Sequence, residues 1–260
     1  MNISNSQLVN IIKIIRPHQW VKNILVFVPM IMAHQLNIEN FVLSLKAFII
    51  FSLVASSIYV INDIVDINSD KKHPFKKLRP LAAGLITLNQ CKLLVLILLF
   101  ISSLLLLTTN IKFFFTIVTY FLISNLYTFI IKKYSFIDLL ILSVLYTLRI
   151  VAGGLIVDIF ASTWLISFSI FFFLSLASIK RQIEILNLKK FDIEEIYGRG
   201  YSLKDEKIIK KISILFGLIS IIILVMYINS SKVYELYSSP NFLWGMCLIM
   251  TFWISRVIII

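Results

Sequence analysis

The chain has 260 residues, 59% of them apolar and 15% charged, with a mean hydropathy of +0.94. Soluble domains run near about 45–50% apolar and about 25% charged, so an ordinary soluble globule and a disordered chain are both excluded; seven Gly and five Pro also exclude collagen-like or low-complexity sequence. The formal charge of +12 would suggest nucleic acid in a soluble protein, but in a membrane protein its meaning depends on where the cations sit.

A helix needs about 20 apolar residues to cross the hydrocarbon. Eight candidate spans follow one another at 20–32, 41–61, 93–107, 113–131, 136–157, 164–179, 208–228 and 242–260. They are continuous apolar runs rather than the alternating strands of a membrane barrel. The expected fold is therefore all-α, a polytopic membrane helical bundle forming one domain over 1–260. The N-terminus lacks the small-residue cleavage site of a signal peptide. It enters the first span through Arg16-Pro17-His18-Gln19-Trp20-Val21-Lys22-Asn23, in which Trp20 reads as a headgroup anchor.

The second span leads into the most informative stretch, 59–84. Asp63, Asp66 and Asp70 stand at i, i+3 and i+7, with Asn62 beside them and Tyr59 one turn earlier. On a continuous helix they fall within roughly 60° of one another over about 10 Å. Three stacked carboxylates repel unless a cation sits among them, and oxygen-only ligands suit Mg²⁺. His73-Pro74, Lys76, Lys77, Arg79 and Pro80 follow. Carboxylates for a divalent ion, then a cationic loop, describe a receptacle for a metal–diphosphate.

The third span carries no candidate group. A short turn between the fourth and fifth spans brings Tyr127, Lys132 and Asp138 into one neighbourhood. Arg149, eleven residues after Asp138 on the same helix face, lies inside the fifth span and must face the bundle interior or water. Two roles stay open for it: a structural ion-pair partner, or a ligand for a substrate phosphate. The sixth span ends in Lys180, Arg181 and Glu184, followed by a loop containing Tyr197-Gly198-Arg199-Gly200-Tyr201. Cys91 and Cys247 form neither a disulfide framework nor a metal pattern.

With a cytoplasmic N-terminus, 20 of the 25 cations fall on the inner side, within 13–22, 71–92, 132–133 and 180–211. Only Lys46, Lys112 and Lys232 lie outside. That bias is the positive-inside pattern. It accounts for most of the charge and removes the nucleic-acid reading. The expected location is the cell (inner) membrane, with the N-terminus and the active-site loops in the cytoplasm.

The ordered set of motifs resembles the UbiA superfamily of membrane prenyltransferases, and within it the decaprenyl-phosphate phosphoribosyltransferase branch. Asn62, Asp63, Asp66 and Asp70 match NDxxDxxxD. Arg79 to Gly84 match RPxxxG, and Arg16 to Asn23 match RPxQWxKN. Tyr127, Lys132 and Asp138 share a spaced motif, and Leu148 to Gly154 and Ser175 to Glu184 complete the series. The resemblance implies transfer of a phosphoribosyl group from phosphoribosyl pyrophosphate to a polyprenyl phosphate, releasing pyrophosphate, with Mg²⁺. It implies that Asp63, Asp66 and Asp70 hold the metal and that Asn62, Lys22, Lys76, Arg79, Lys132, Lys180 and Arg181 meet substrate phosphates. Tyr127 and Asp138 would complete the pocket. The product would serve an arabinan-like wall polymer or another glycan.

Members that use prenyl diphosphates carry a second DxxxD motif after the sixth span, where this chain reads Lys180-Arg181-Gln182-Ile183-Glu184. A prenyltransferase acting on an aromatic acceptor is the first alternative, and an ion-coupled transporter the second. A transporter predicts polar groups through the full membrane depth, whereas the charges here cluster on one side. The superfamily has roughly nine spans against eight here, and the chain stops within an apolar run, so the expectation is a C-terminally truncated domain.

Overall fold

The computed structural model describes residues 5–73, 75–190 and 200–259. Tyr197, Gly198 and Arg199 of the loop motif, and Pro74, lie outside the described residues. Among the described residues the chain is all-α, with no strand.

The helices are α1 (Asn5–Ile15), α2 (Val28–Met32), α3 (Ile38–Val65), α4 (Ile67–Lys72), α5 (Leu88–Leu106), α6 (Ile111–Phe129), α7 (Ile137–Ile156), α8 (Thr163–Lys190), α9 (Glu206–Ile228), α10 (Ser231–Leu236) and α11 (Trp244–Ile259). Local chemistry sets the starts. Asn37 accepts from the Asn40 N–H at 2.8 Å to open α3, Thr87 and Gln90 form a capping box on α5, and Asn110 accepts from the Phe113 N–H at 2.8 Å on α6. Each satisfies a backbone donor that a helix start leaves unpaired.

Among the described residues six helices, α3 and α5 to α9, are long and apolar enough to cross a membrane. The other two expected spans take different forms. Residues 20–32 are not one α-helix. Pro17–Phe27 is a 3-10 segment, and the five-residue α2 follows. At the far end, Pro240–Leu243 is a 3-10 turn and α11 has 16 residues, short of the span length of about 20.

The chain divides into two compact units. The first comprises Met1–Ile131 with Leu148–Phe160, and the second Lys132–Thr147 with Ala161–Ile260. In the first, α3 packs on α5, α6, α1 and the 3-10 segment. Ile14, Val60, Leu81, Ile86 and Cys91 make one apolar cluster there. In the second, α8 lies along α9, and α9 against α11. Leu139, Leu174 and Ala177 pack together, as do Ile185, Tyr201 and Ile209. Cys91 and Cys247 are both free and buried.

The eleven-residue 3-10 segment is unusually long, since such runs seldom exceed about 3–4 residues. Its period of 3.0 aligns Trp20, Asn23 and Val26 on one face. Trp20 Nε1 donates to Ser56 Oγ at 3.0 Å and Asn23 Nδ2 to Ser52 Oγ at 3.1 Å. Val26 is buried, and a Cβ on Gly153 would lie 2.0 Å from its carbonyl oxygen. A rise of about 2.0 Å per residue carries three 3-10 residues about 6 Å, and four α-helical residues rise the same distance. Each turn of the segment therefore meets the next serine of α3. Trp20 is thus tied to α3 rather than serving only as a headgroup anchor.

Candidate active site

The carboxylates of the 63–70 stretch do not share one helix. α3 ends at Val65, and Asp66 leaves helical geometry with φ −90° and ψ 5°. Its N–H still reaches the Asn62 carbonyl at 2.9 Å, and its own carbonyl accepts from Asp70 N–H at 2.8 Å, starting α4. The stack expected from 100° spacing is therefore broken at its middle member. Among the described residues, no three His, Cys, Asp or Glu side chains converge as a metal-ligand group.

Asp63 and Asp70 are instead joined through arginine. Arg79 Nη1 lies 3.1 Å from Asp63 Oδ1 and 2.6 Å from Asp70 Oδ2. Arg16 Nη2 approaches Asp63 Oδ1 at 2.5 Å, and its guanidinium lies over the Tyr59 ring at 5.4 Å. Arg16 adopts the left-handed conformation, φ 57°, which costs a non-glycine residue about 1–2 kcal/mol. That bend separates α1 from the 3-10 segment, and the ion pair to Asp63 holds it.

The Cys-free oxygen donor set fits Mg²⁺, which takes one or two carboxylates plus substrate oxygens. Asp63 and Asp70 are both 2% exposed. Asp63 Oδ2 is buried with no hydrogen-bond partner, which is costly for a carboxylate oxygen unless a cation or donor meets it. Asp63 thus qualifies as a ligand, with Asp70 next to it across Arg79.

The basic loop is built around His73, whose Nδ1 accepts from the backbone N–H of Phe75 at 3.2 Å and Lys76 at 3.3 Å. The loop ends as Arg79 leaves a 3-10 turn, Lys76–Leu78. Burial first, then Lys76, hold the His73 ring below its ordinary pKa, with Arg79 adding to this and Asp70 opposing it.

The remaining expected residues are spread more widely. Lys22 is half-buried on the 3-10 segment, Asn62 on the last turn of α3, Lys76 at the loop and Tyr127 on α6. In the second unit, Lys132 is buried on the turn 131–133 while Lys180 is exposed on α8. Asp138 is fully buried. It accepts from the Tyr201 hydroxyl and pairs with Arg181, which also pairs with Glu184. The Arg181 guanidinium lies 4.9 Å from the Tyr201 ring centroid, and the Tyr201 hydroxyl accepts from Phe136 N–H at 2.7 Å. Burial and the bond to Asp138 raise the Tyr201 phenol above its ordinary value. Asp138 and Arg181 here clamp the 200–201 corner onto the start of α7.

Arg16, Asn23, Tyr120 and Tyr201 were not assigned a role from sequence. Arg16 and Asn23 belong to the N-terminal motif, and the three-residue spacing of Trp20, Asn23 and Val26 was the available signal. Tyr120 carries no local signal, and Tyr201 only its place at the end of the 197–201 loop motif, because their partners are distant in sequence.

Comparison with known proteins gives a consistent picture. The model of the UbiA prenyltransferase family matches residues 23–254, running through both units. Nodulation protein NoeC of Azorhizobium caulinodans is 33% identical over 249 residues, covering 94% of this chain and 80% of that protein. The decaprenyl-phosphate phosphoribosyltransferase of Mycolicibacterium smegmatis is 35% identical over 180 residues. That match takes 67% of this chain and spans 57% of the relative's length. A UbiA homolog from Archaeoglobus fulgidus, bound to GPP and Mg²⁺, superposes with a TM-score of 0.75 at 17% identity, over 95% of this chain and 87% of that one.

Proposed function

The chain belongs to the UbiA prenyltransferase family, and on that premise we propose that it moves a 5-phosphoribosyl group from phosphoribosyl pyrophosphate to a polyprenyl phosphate in a Mg²⁺-dependent reaction. The observation that carries the choice of donor is the Arg181 cluster. Where the prenyl-diphosphate users of the family carry a second Asp-rich motif, this chain has Arg181 closed onto Asp138 and Glu184. The phosphoribosyltransferase relatives support the same choice.

In this reading the bond from the ribose anomeric carbon to the pyrophosphate oxygen breaks, and pyrophosphate leaves with the electron pair. A bond from that carbon to an oxygen of the lipid phosphate forms. Mg²⁺, when bound, supplies charge neutralisation at the leaving group. Asp63 and Asp70 hold that end, and Arg79 and Arg16 lie in contact with the same carboxylates, placed to meet phosphate oxygens. Lys22, Asn62 and Lys76, all half-buried, are assigned to the substrate phosphates through the resemblance. Asp66, Tyr127, Lys132, Asp138, Lys180 and Arg181 enter the proposal through the resemblance. The acceptor is already an anion, so no strong general base is needed. Its tail lies in the bilayer of the cell membrane, and its head meets a soluble donor on the cytoplasmic side.

The test is transfer by the purified full chain in detergent. Two substrate pairs are offered with Mg²⁺: phosphoribosyl pyrophosphate with a polyprenyl phosphate, and a prenyl diphosphate with 4-hydroxybenzoate. Turnover of the first pair is expected, lost by at least about a hundredfold in Asp63→Ala and Asp70→Ala with helix content unchanged. Turnover of only the second pair would sink the donor assignment, and wild-type rates in both variants would sink the metal assignment.

A further inference from the structure

The polar face of α3 continues far below Asp63. Ser52, Ser56, Tyr59 and Asp63 recur at i, i+4, i+7 and i+11, so they lie within about 60° of one another along about 16 Å of helix. The 3-10 segment pairs with this face residue by residue: Arg16 with Asp63, Trp20 with Ser56, Asn23 with Ser52. At the level of Ser52 stands Arg149, 5% exposed. Its Nε donates to Asn23 Oδ1 at 2.9 Å and its Nη2 to the Tyr120 hydroxyl at 2.7 Å. Tyr120 is itself packed edge-on to Phe51, with 5.1 Å between centroids. Lys22 precedes Asn23 on the same segment and is half-buried.

Two cations, Arg16 at Asp63 and Arg149 at the level of Ser52, therefore mark the two ends of one polar track. A permanent charge within a membrane-spanning helix is expensive and marks functional polar paths. A metal–diphosphate at Asp63 and Asp70 accounts for Arg16 and Arg79 at the mouth. It does not account for a guanidinium oriented by two side chains at the other end. A rigid guanidinium fork is suited to phosphate oxygens.

We propose that Arg149, oriented by Asn23 and Tyr120, anchors a second anion subsite that takes a phosphate monoester. The candidate carriers rest on the proposed function: the donor bears a ribose 5-phosphate remote from its pyrophosphate, and the acceptor ends in a phosphate monoester. A prenyl diphosphate has neither.

The test is calorimetric binding to the detergent-purified full chain with Mg²⁺ present, using inorganic pyrophosphate, phosphoribosyl pyrophosphate and farnesyl phosphate as probes. Arg149→Gln is expected to leave pyrophosphate binding within about threefold and to weaken one of the other probes about tenfold or more. Tyr120→Phe, which keeps the ring against Phe51, is expected to weaken the same probe by a few-fold, and this arm stands if Arg149→Gln does not fold. Loss with phosphoribosyl pyrophosphate assigns the subsite to the donor, and loss with farnesyl phosphate assigns it to the acceptor. Equal loss of all three probes, or of none, overturns the subsite. Wild-type protein that binds neither monoester carrier overturns the proposed function as well, whereas wild-type binding of either with both variants unaffected overturns the subsite alone.

Discussion

His73 links the cationic loop to pH. Its Nδ1 accepts two backbone N–H groups, from Phe75 and Lys76, and a protonated ring has no lone pair there. Its pKa is held down by burial and by Lys76, reinforced by Arg79 and opposed by Asp70. A folded pKa below the ordinary value of about 6.5 means that the unfolded loop binds the proton more tightly. The ring's contribution is therefore complete above that value and is lost as pH falls through the lower, folded pKa. Hydrogen exchange at the Phe75 and Lys76 amides, corrected for intrinsic rates, is expected to speed up on acidification. His73→Asn, whose side-chain oxygen accepts the same bonds at any pH, should flatten that response. An identical acid limb in the variant would refute the assignment. The sequence marked Asp63, Asp70 and Arg79 because their residue types and spacing carry the chemistry. It did not mark Arg16 as the second partner of Asp63, because that contact bridges 47 residues and depends on a left-handed backbone that a Pro-preceding arginine does not announce.

The 3-10 segment poses the corresponding question for a whole element. Its apolar run looked like the start of a transmembrane α-helix, but Trp20, Asn23 and Val26 recur every three residues, and side-chain bonds to α3 reward the tighter coil. The close approach at Val26 makes a test. A Cβ on Gly153 would meet Val26 backbone atoms at 2.0, 2.6 and 2.7 Å, and backbone in a packed segment cannot give way as a side chain can. Gly153→Ala is expected to destabilise the protein by about 1–3 kcal/mol or more, read as a lower melting temperature in detergent. Gly217 is the control. Its nearest neighbour is the end of the flexible Ile254 side chain at 2.7 Å, so Gly217→Ala should lose less than about half as much. Equal losses would show that the close contact to Val26 is not rigid. The break at Asp66 escaped the periodicity argument for a related reason. Spacing of 100° assumes that a helix continues, and nothing in an Asp-rich stretch at a helix end says on which residue it stops.

For the molecule as a whole, the charge of +12 is a statement about sidedness. Among the described residues six helices are long and apolar enough to cross a membrane, against eight spans expected from the sequence; the two counts agree from α3 to α9 and differ in whether 17–32 and α11 cross. With Lys46 and Lys112 outside, a count that begins at α3 would put Lys13, Arg16 and Lys22 outside as well, 17 cations against six. The 17–32 segment instead runs antiparallel along α3, with Arg16 at Asp63, Asn23 at Ser52 and Met30 at Ser44, so it crosses beside α3 and the expected bias of 20 against three holds. Lys46 Nζ donates to the Thr108 carbonyl at 2.9 Å, which sets the start of α3 level with the α5–α6 connection in the first unit, and Lys112 Nζ lies 3.9 Å from Asp158 Oδ1. The expected orientation puts Asp63, Arg79 and the cationic loops in the cytoplasm. It is checked in a Cys91→Ser, Cys247→Ser background by adding single cysteines and labelling intact cells with an impermeant maleimide. Lys232→Cys, on exposed α10, should label from outside, and Lys133→Cys and Lys77→Cys only after the membrane is opened. The reverse pattern would place the carboxylates on the face where a cytoplasmic phosphoribosyl donor is absent, and the donor assignment would fall together with the topology.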